Sequence, residues 1–96
     1  MSDEEMEYLL LHDVTKVLYE LDRSIPWWRN LSEARQQAIA NMCFQLGIGR
    51  LLKFKTMLGR LENLEYGSAA DAAKNSLWAR QTPARARRVI KMIRDG

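Results

Sequence analysis

Trp78 to Ile90 reads WARQTPARARRVI, and its punctuation is that of a helix beginning at its centre. Pro83 has no amide proton, so the first turn of a helix is where it costs nothing, and Thr82 stands just ahead of it. At about 100° per residue, Ala86, Val89, Ile90 and Ile93 gather on one side and Arg87, Arg88, Lys91 and Arg94 on the other. Gly96 ends the run. Reading backwards, alanines at 69, 70, 72 and 73 predict a close-packed helix over Ser68 to Asn75, and Met57, Leu58 and Leu61 one over Thr56 to Asn63. Gly47 and Gly49 bracket a tight link into Leu51, Leu52 and Phe54. Gly47 also stops the helix before it, because glycine accepts the left-handed conformation in which helices end. That earlier helix is capped by Ser32 and turns Ala34, Ala38, Ile39, Met42, Cys43 and Leu46 inward.

The amino-terminal part is one amphipathic helix. Ser2 and Glu5 form a capping box, Asp3 and Glu4 suit the positive end of the dipole, and Met6, Leu9, Leu10, Val14, Val17, Leu18 and Leu21 recur at three- and four-residue spacing. The stripe predicts a helix to about Asp22. Ser24-Ile25-Pro26 breaks it, and Trp27 and Trp28 follow in a turn. The alternation of a half-buried strand occurs nowhere, and there is no repeat or low-complexity tract. The expectation is an all-α, compact single domain over residues 1–96, with six or seven mostly short helices and no sheet.

Composition narrows the class. With 47% hydrophobic and 28% charged residues the chain is an ordinary globular domain, and no apolar run approaches the ~20 residues of a membrane span. The start, MSDEEMEY, is acidic where a secretory signal is basic, so no signal peptide and a place in the cytoplasm of a bacterial host are expected. One cysteine excludes an internal disulfide. The net charge of +3 divides into −6 over residues 1–22, +6 over residues 74–96 and +3 between them. Ends of opposite sign attract each other or two different partners.

Two strings are unusual enough to carry a resemblance: NMCFQLG, Asn41 to Gly47, and the WARQTPARARRVI already quoted. Both resemble the helical lobe of the T-even-type phage lysozymes, muramidases that cut the glycan of peptidoglycan. The likeness is strongest from Leu31 to Arg94, and Ser2 to Leu21 is similar to the lower part of the long helix joining that family's two lobes. The resemblance implies a lysozyme-like fold in which Phe44 and Gln45 lie at the glycan cleft. It also implies that Arg85 stands where an arginine meets the family's catalytic glutamate. The segments bearing that glutamate, an aspartate and a threonine have no counterpart in these residues, so no catalytic residue is assigned. The family's serine and asparagine sugar contacts fall at Met57 and Ala72, which removes two polar contacts.

Read on their own chemistry, the other candidates are plainer. The acids Asp3, Glu4, Glu5 and Glu7 belong to a helix start, and Glu62 and Glu65 flank a polar turn, whereas a glycosidase acid needs an apolar pocket and a facing carboxylate. Cys43 falls on an apolar face, and His12 has no second ligand at metal spacing, so neither a metal nor a cofactor is expected. Trp78 reads as core. Trp27 and Trp28, behind a proline, are possible exposed aromatics for stacking on sugars or bases. Arg80, Arg87, Arg88, Lys91 and Arg94 form a possible partner-binding basic face.

Three functions follow as expectations. The first is a non-catalytic remnant of a phage lysozyme, kept as a binding or regulatory protein with a host factor as partner. The second is a muramidase subunit that needs a separate catalytic lobe, with peptidoglycan as its ligand. The third is a nucleic-acid-binding module using the last helix. None of them requires a membrane.

Overall fold

Caps and stops shape this chain as local chemistry dictates. In the computed structural model, which describes the backbone of residues 3–96 and the side chains of residues 14–96, seven α-helices follow one another among the described residues and no strand occurs. Ser2 and Glu5, the acid cluster at Asp3, Glu4, Glu5 and Glu7, His12, and the apolar Met6, Leu9 and Leu10 lie outside the described side chains. Helix α1 spans Asp3–Ser24. Pro26–Asn30 then forms a single 3-10 turn that reverses the chain, with the proline in its first positions.

Asp22 fixes that reversal. Its carboxylate accepts from Trp28 Nε1 at 2.8 Å, from Arg29 Nε at 2.6 Å and from the second guanidinium nitrogen at 3.0 Å. The Arg29 hydrogen bond, with help from Trp28, holds the Asp22 carboxyl below the usual carboxylate range. The stability this adds is present above the ordinary pKa and is lost as pH falls through the lowered one.

Helix α2, Glu33–Leu46, starts at Ser32, whose hydroxyl accepts from the Arg35 amide at 3.3 Å. It ends at Gly47, whose φ of +85° few other residues tolerate. The tight link expected at 47–54 contains one helical turn, α3, Ile48–Leu51. Helix α4 covers Lys55–Glu62 and α5 Tyr66–Lys74, two residues earlier than the alanine run predicts. The sequence assigns no element to residues 76–81. There the structure places α6, Leu77–Gln81, capped by the Ser76 hydroxyl on the Ala79 amide at 3.3 Å. Helix α7, Pro83–Asp95, closes the fold.

The core sits where α7 crosses α5 and α2, with α4 on the far side of α5. Ile39 and Met42 of α2, Val89 and Ile93 of α7, and Leu61 of α4 are fully or almost fully buried. Ala69, Ala70 and Ala73 of α5 are as deeply buried, and their small side chains let its neighbours approach closely. Helix α1 lies on the outside, against α2, α3 and the 3-10 turn.

One polar device ties three helices together. The Arg35 guanidinium donates to the carbonyls of Ile93 at 2.7 Å and Arg94 at 3.1 Å, two of the acceptors that α7 leaves open at its end, and it lies 3.4 Å over the Tyr66 ring. Arg35→Ala is expected to destabilise the fold by about 1.5–3 kcal/mol in thermal or urea unfolding. Arg35→Lys should fall between, since an ammonium keeps the charge without the planar fork. A loss below ~0.5 kcal/mol for the alanine variant would show the cap to be idle.

Candidate functional site

Helices α1, α2 and α7 do not close completely on one another. Between them lies a groove of about 600 Å³ whose walls are Val14, Val17 and Leu18 of α1, Gln37, Ala40, Asn41 and Phe44 of α2, and Ala84, Arg85, Arg88 and Val89 of α7. Its surface is mainly apolar, with two guanidinium groups along the α7 side. Phe44 is 49% exposed and Val14 44%, a costly display for a phenylalanine and a valine unless something covers them. Arg85 and Arg88 are exposed, and neither forms an ion pair with a described residue.

The structure brings Phe44 and Arg85 together on this groove, from different helices. It does not bring Gln45 there. Gln45 Oε1 accepts from Trp78 Nε1 at 3.1 Å, and Trp78 in turn meets Phe54 edge-on at 6.2 Å. Gln45 thus satisfies a buried indole, and no sequence spacing reports that contact. Met57, at the family's serine position, is 1% exposed and belongs to the core, and Ala72 is half-buried.

The aromatic pair needs correction. Trp28 is 2% exposed, because its ring packs into the core while its N–H reaches Asp22. It is not an exposed aromatic. Trp27 is half-buried against the same core.

The basic face also divides. Arg88 turns with Arg85 toward the groove just described. Arg80, Arg87, Lys91 and Arg94 line a second groove, of about 550 Å³, where α7 meets α6 and the end of α5. The neighbouring helices split what a helical wheel draws as one face.

No arrangement for cutting a glycosidic bond exists among the described residues. Such chemistry takes two carboxyl groups roughly 5 to 9.5 Å apart with an apolar setting for the acid. Asp22, Glu33, Glu62, Glu65, Asp71 and Asp95 are exposed. Glu20, half-buried, lines a shallow pocket with Lys16, Cys43 and Phe44, which holds no second acid. Cys43 is buried, and burial, with a smaller push from Glu20, raises its thiol to about 11, the reverse of what a nucleophile needs. No described cluster of histidine, cysteine and carboxylates has the make-up of a metal site, and no described helix is long and apolar enough to cross a membrane.

Comparison with known proteins places this geometry. No family model matches the chain. Over an alignment 106 positions long it is 34% identical to "Probable T4-type lysozyme 1" of Dictyostelium discoideum, covering 98% of this chain and 62% of the relative. With "Probable T4-type lysozyme 2" of the same organism the identity is 35%, over 100% of this chain and 58% of the relative. This chain is a T4-type-lysozyme-like helical lobe. A further relative is the pre-baseplate central spike protein Gp5 of Enterobacteria phage T4, 41% identical over 71 residues, which are 74% of this chain and 12% of that protein. The lysozyme-like lobe thus spans less than two thirds of the length of either Dictyostelium relative.

Proposed function

We propose that the lobe forms one wall of a muramidase cleft, against which the cutting carboxyl groups are presented by residues outside those described, in a longer chain or in a separate polypeptide. The observation that carries this is the groove between α1, α2 and α7. Val14 and Phe44 stand exposed on its apolar walls, and Arg85 lines it without an ion pair to a described residue. A guanidinium is suited to orient a carboxylate from the opposite wall through a charge-assisted, bidentate contact. Phe44 offers an apolar surface for the face of a sugar ring.

A second reading is a lobe retained as a non-cutting binding or regulatory protein with a host protein as partner. It is favoured by the two sugar-contact positions that carry no hydrogen-bonding group, the buried Met57 and the half-buried Ala72. A site stripped of such groups loses its grip on hydroxyl-bearing ligands.

A zymogram on purified peptidoglycan distinguishes the two. The lobe alone is expected to give no clearing, since no described acid pair is placed to cut. Mixing it with the separately produced amino-terminal lobe of a T4-type lysozyme should restore clearing if it is a cleft wall, and Arg85→Ala should then cut the restored rate by at least ~10-fold, the scale of a lost charge-assisted bond. Restoration absent at high concentrations of both lobes decides for the second reading. Clearing by the lobe alone overturns both.

A further inference from the structure

The groove on the other side of α7 has no part in the cleft. Lys74 and Arg80 stand on one of its walls and Arg87, Lys91 and Arg94 on the other, above a floor of Ala79, Pro83, Ala86 and Ile90. All five cations are exposed, against Asp95 alone among the lining acids. Arg94 also reaches Asp71 at 3.0 Å, an exposed pair that leaves most of its guanidinium donors open. We propose that this groove binds a linear anionic polymer of the cell wall, one in which phosphodiesters link small aliphatic polyol units.

The shape of the groove selects among polyanions. Helical rise puts Arg87, Lys91 and Arg94 at steps of about 6 and 4.5 Å along α7, a row along which successive phosphates of a strand laid beside the helix each find a cation. With cations on both walls, a thin strand is flanked from two sides, whereas a duplex is far too wide to enter and meets only one rim. The floor is aliphatic and no aromatic side chain lines it. Single-stranded nucleic acids draw much of their affinity from bases stacked on aromatic platforms, so this floor wastes what they offer. A polymer with a short aliphatic spacer between phosphates matches both the floor and the walls. Such a polymer is found alongside peptidoglycan, which agrees with the cleft reading, although the binding claim stands on the groove alone.

The test is fluorescence titration with a labelled poly(glycerol phosphate) of about ten repeats, at ~20 to 200 mM salt, where counterion release makes phosphate contacts visible. Binding should weaken steeply with salt. The double variants R87Q/K91Q and K74Q/R80Q, one for each wall, should each lose roughly 10-fold in affinity at low salt and lower the salt slope by about 1.4, two phosphates' worth for a single strand. R85Q/R88Q, on the cleft side, should bind as the unaltered chain does, which separates failure of this proposal from failure of the cleft reading. Unchanged melting temperatures will show that the variants are folded. The proposal is overturned by no binding at ~20 mM salt, by equal or tighter binding of oligo-dT of the same charge, or by full affinity in both wall variants.

Discussion

Ile39→Ala is expected to destabilise the fold by about 2–5 kcal/mol, a range borrowed from core truncations in a lysozyme of the family this chain resembles rather than obtained from this chain. Ile39 is fully buried at the centre of α2, where α7 crosses it, so a shortened side chain leaves a space that several helices must close at once. Single domains hold only about 5–15 kcal/mol in reserve, and at this size each kcal/mol moves the melting temperature by roughly 4–8 °C. Calorimetry should therefore show a drop on the order of 8–40 °C. Ile39→Val, which deletes one methyl group, should cost about 0.5–1.5 kcal/mol at the same site. If the alanine variant melts within ~3 °C of the unaltered chain, α2 is not the central helix described here.

What the sequence shows of this fold is what local chemistry writes into it. Ser32, Gly47 and Thr82-Pro83 mark helix ends because capping, left-handed backbone and a missing amide act within a few residues. Helix α6 is too short for a periodic stripe. Its reason to exist is tertiary, with Trp78 held between Gln45 and Phe54, residues more than twenty positions away. The same limit hides Arg35. On a helical wheel it is simply a cation in the first turn of α2, and only the packing of α2 on α7 puts it under the Ile93 and Arg94 carbonyls. Trp28 misleads for the converse reason. A tryptophan after a proline suggests a loop display, yet the 3-10 turn rolls its ring into the core.

The site divides along the same line. Phe44 and Arg85 were legible through the strings that carry the family likeness, and the structure seats both on one groove. The basic residues of α7 were legible as charge but not as geometry. Which of them shares a groove with Arg85 and which faces away depends on where α1 and α6 lie, and no pattern within residues 83–95 records that.

Labelling of Cys43 by a disulfide reagent at pH 8 is expected to run at least ~100-fold slower in the folded protein than in guanidinium chloride. The thiol sits on the inner face of α2, 2% exposed, and burial first, then the Glu20 charge, raises its pKa from 9.0 to about 11. Thiolate is the reactive form, and a shift of that size lowers its population about 100-fold at pH 8 before any shielding of the sulfur is counted. The same shift couples the thiol to stability. Because the folded value lies above the unfolded one, folding holds the proton more tightly, so the contribution is complete below about pH 9 and is lost as pH rises toward 11. Urea midpoints measured from pH 8 to 10.5 should fall more steeply for the unaltered chain than for Cys43→Ala, which lacks this proton and shares all the lysines. Glu20→Gln should raise the native labelling rate slightly by removing the smaller of the two causes. Native labelling within about threefold of the unfolded rate would mean that the thiol is open to solvent, and the packing around Cys43 on α2 would have to be abandoned.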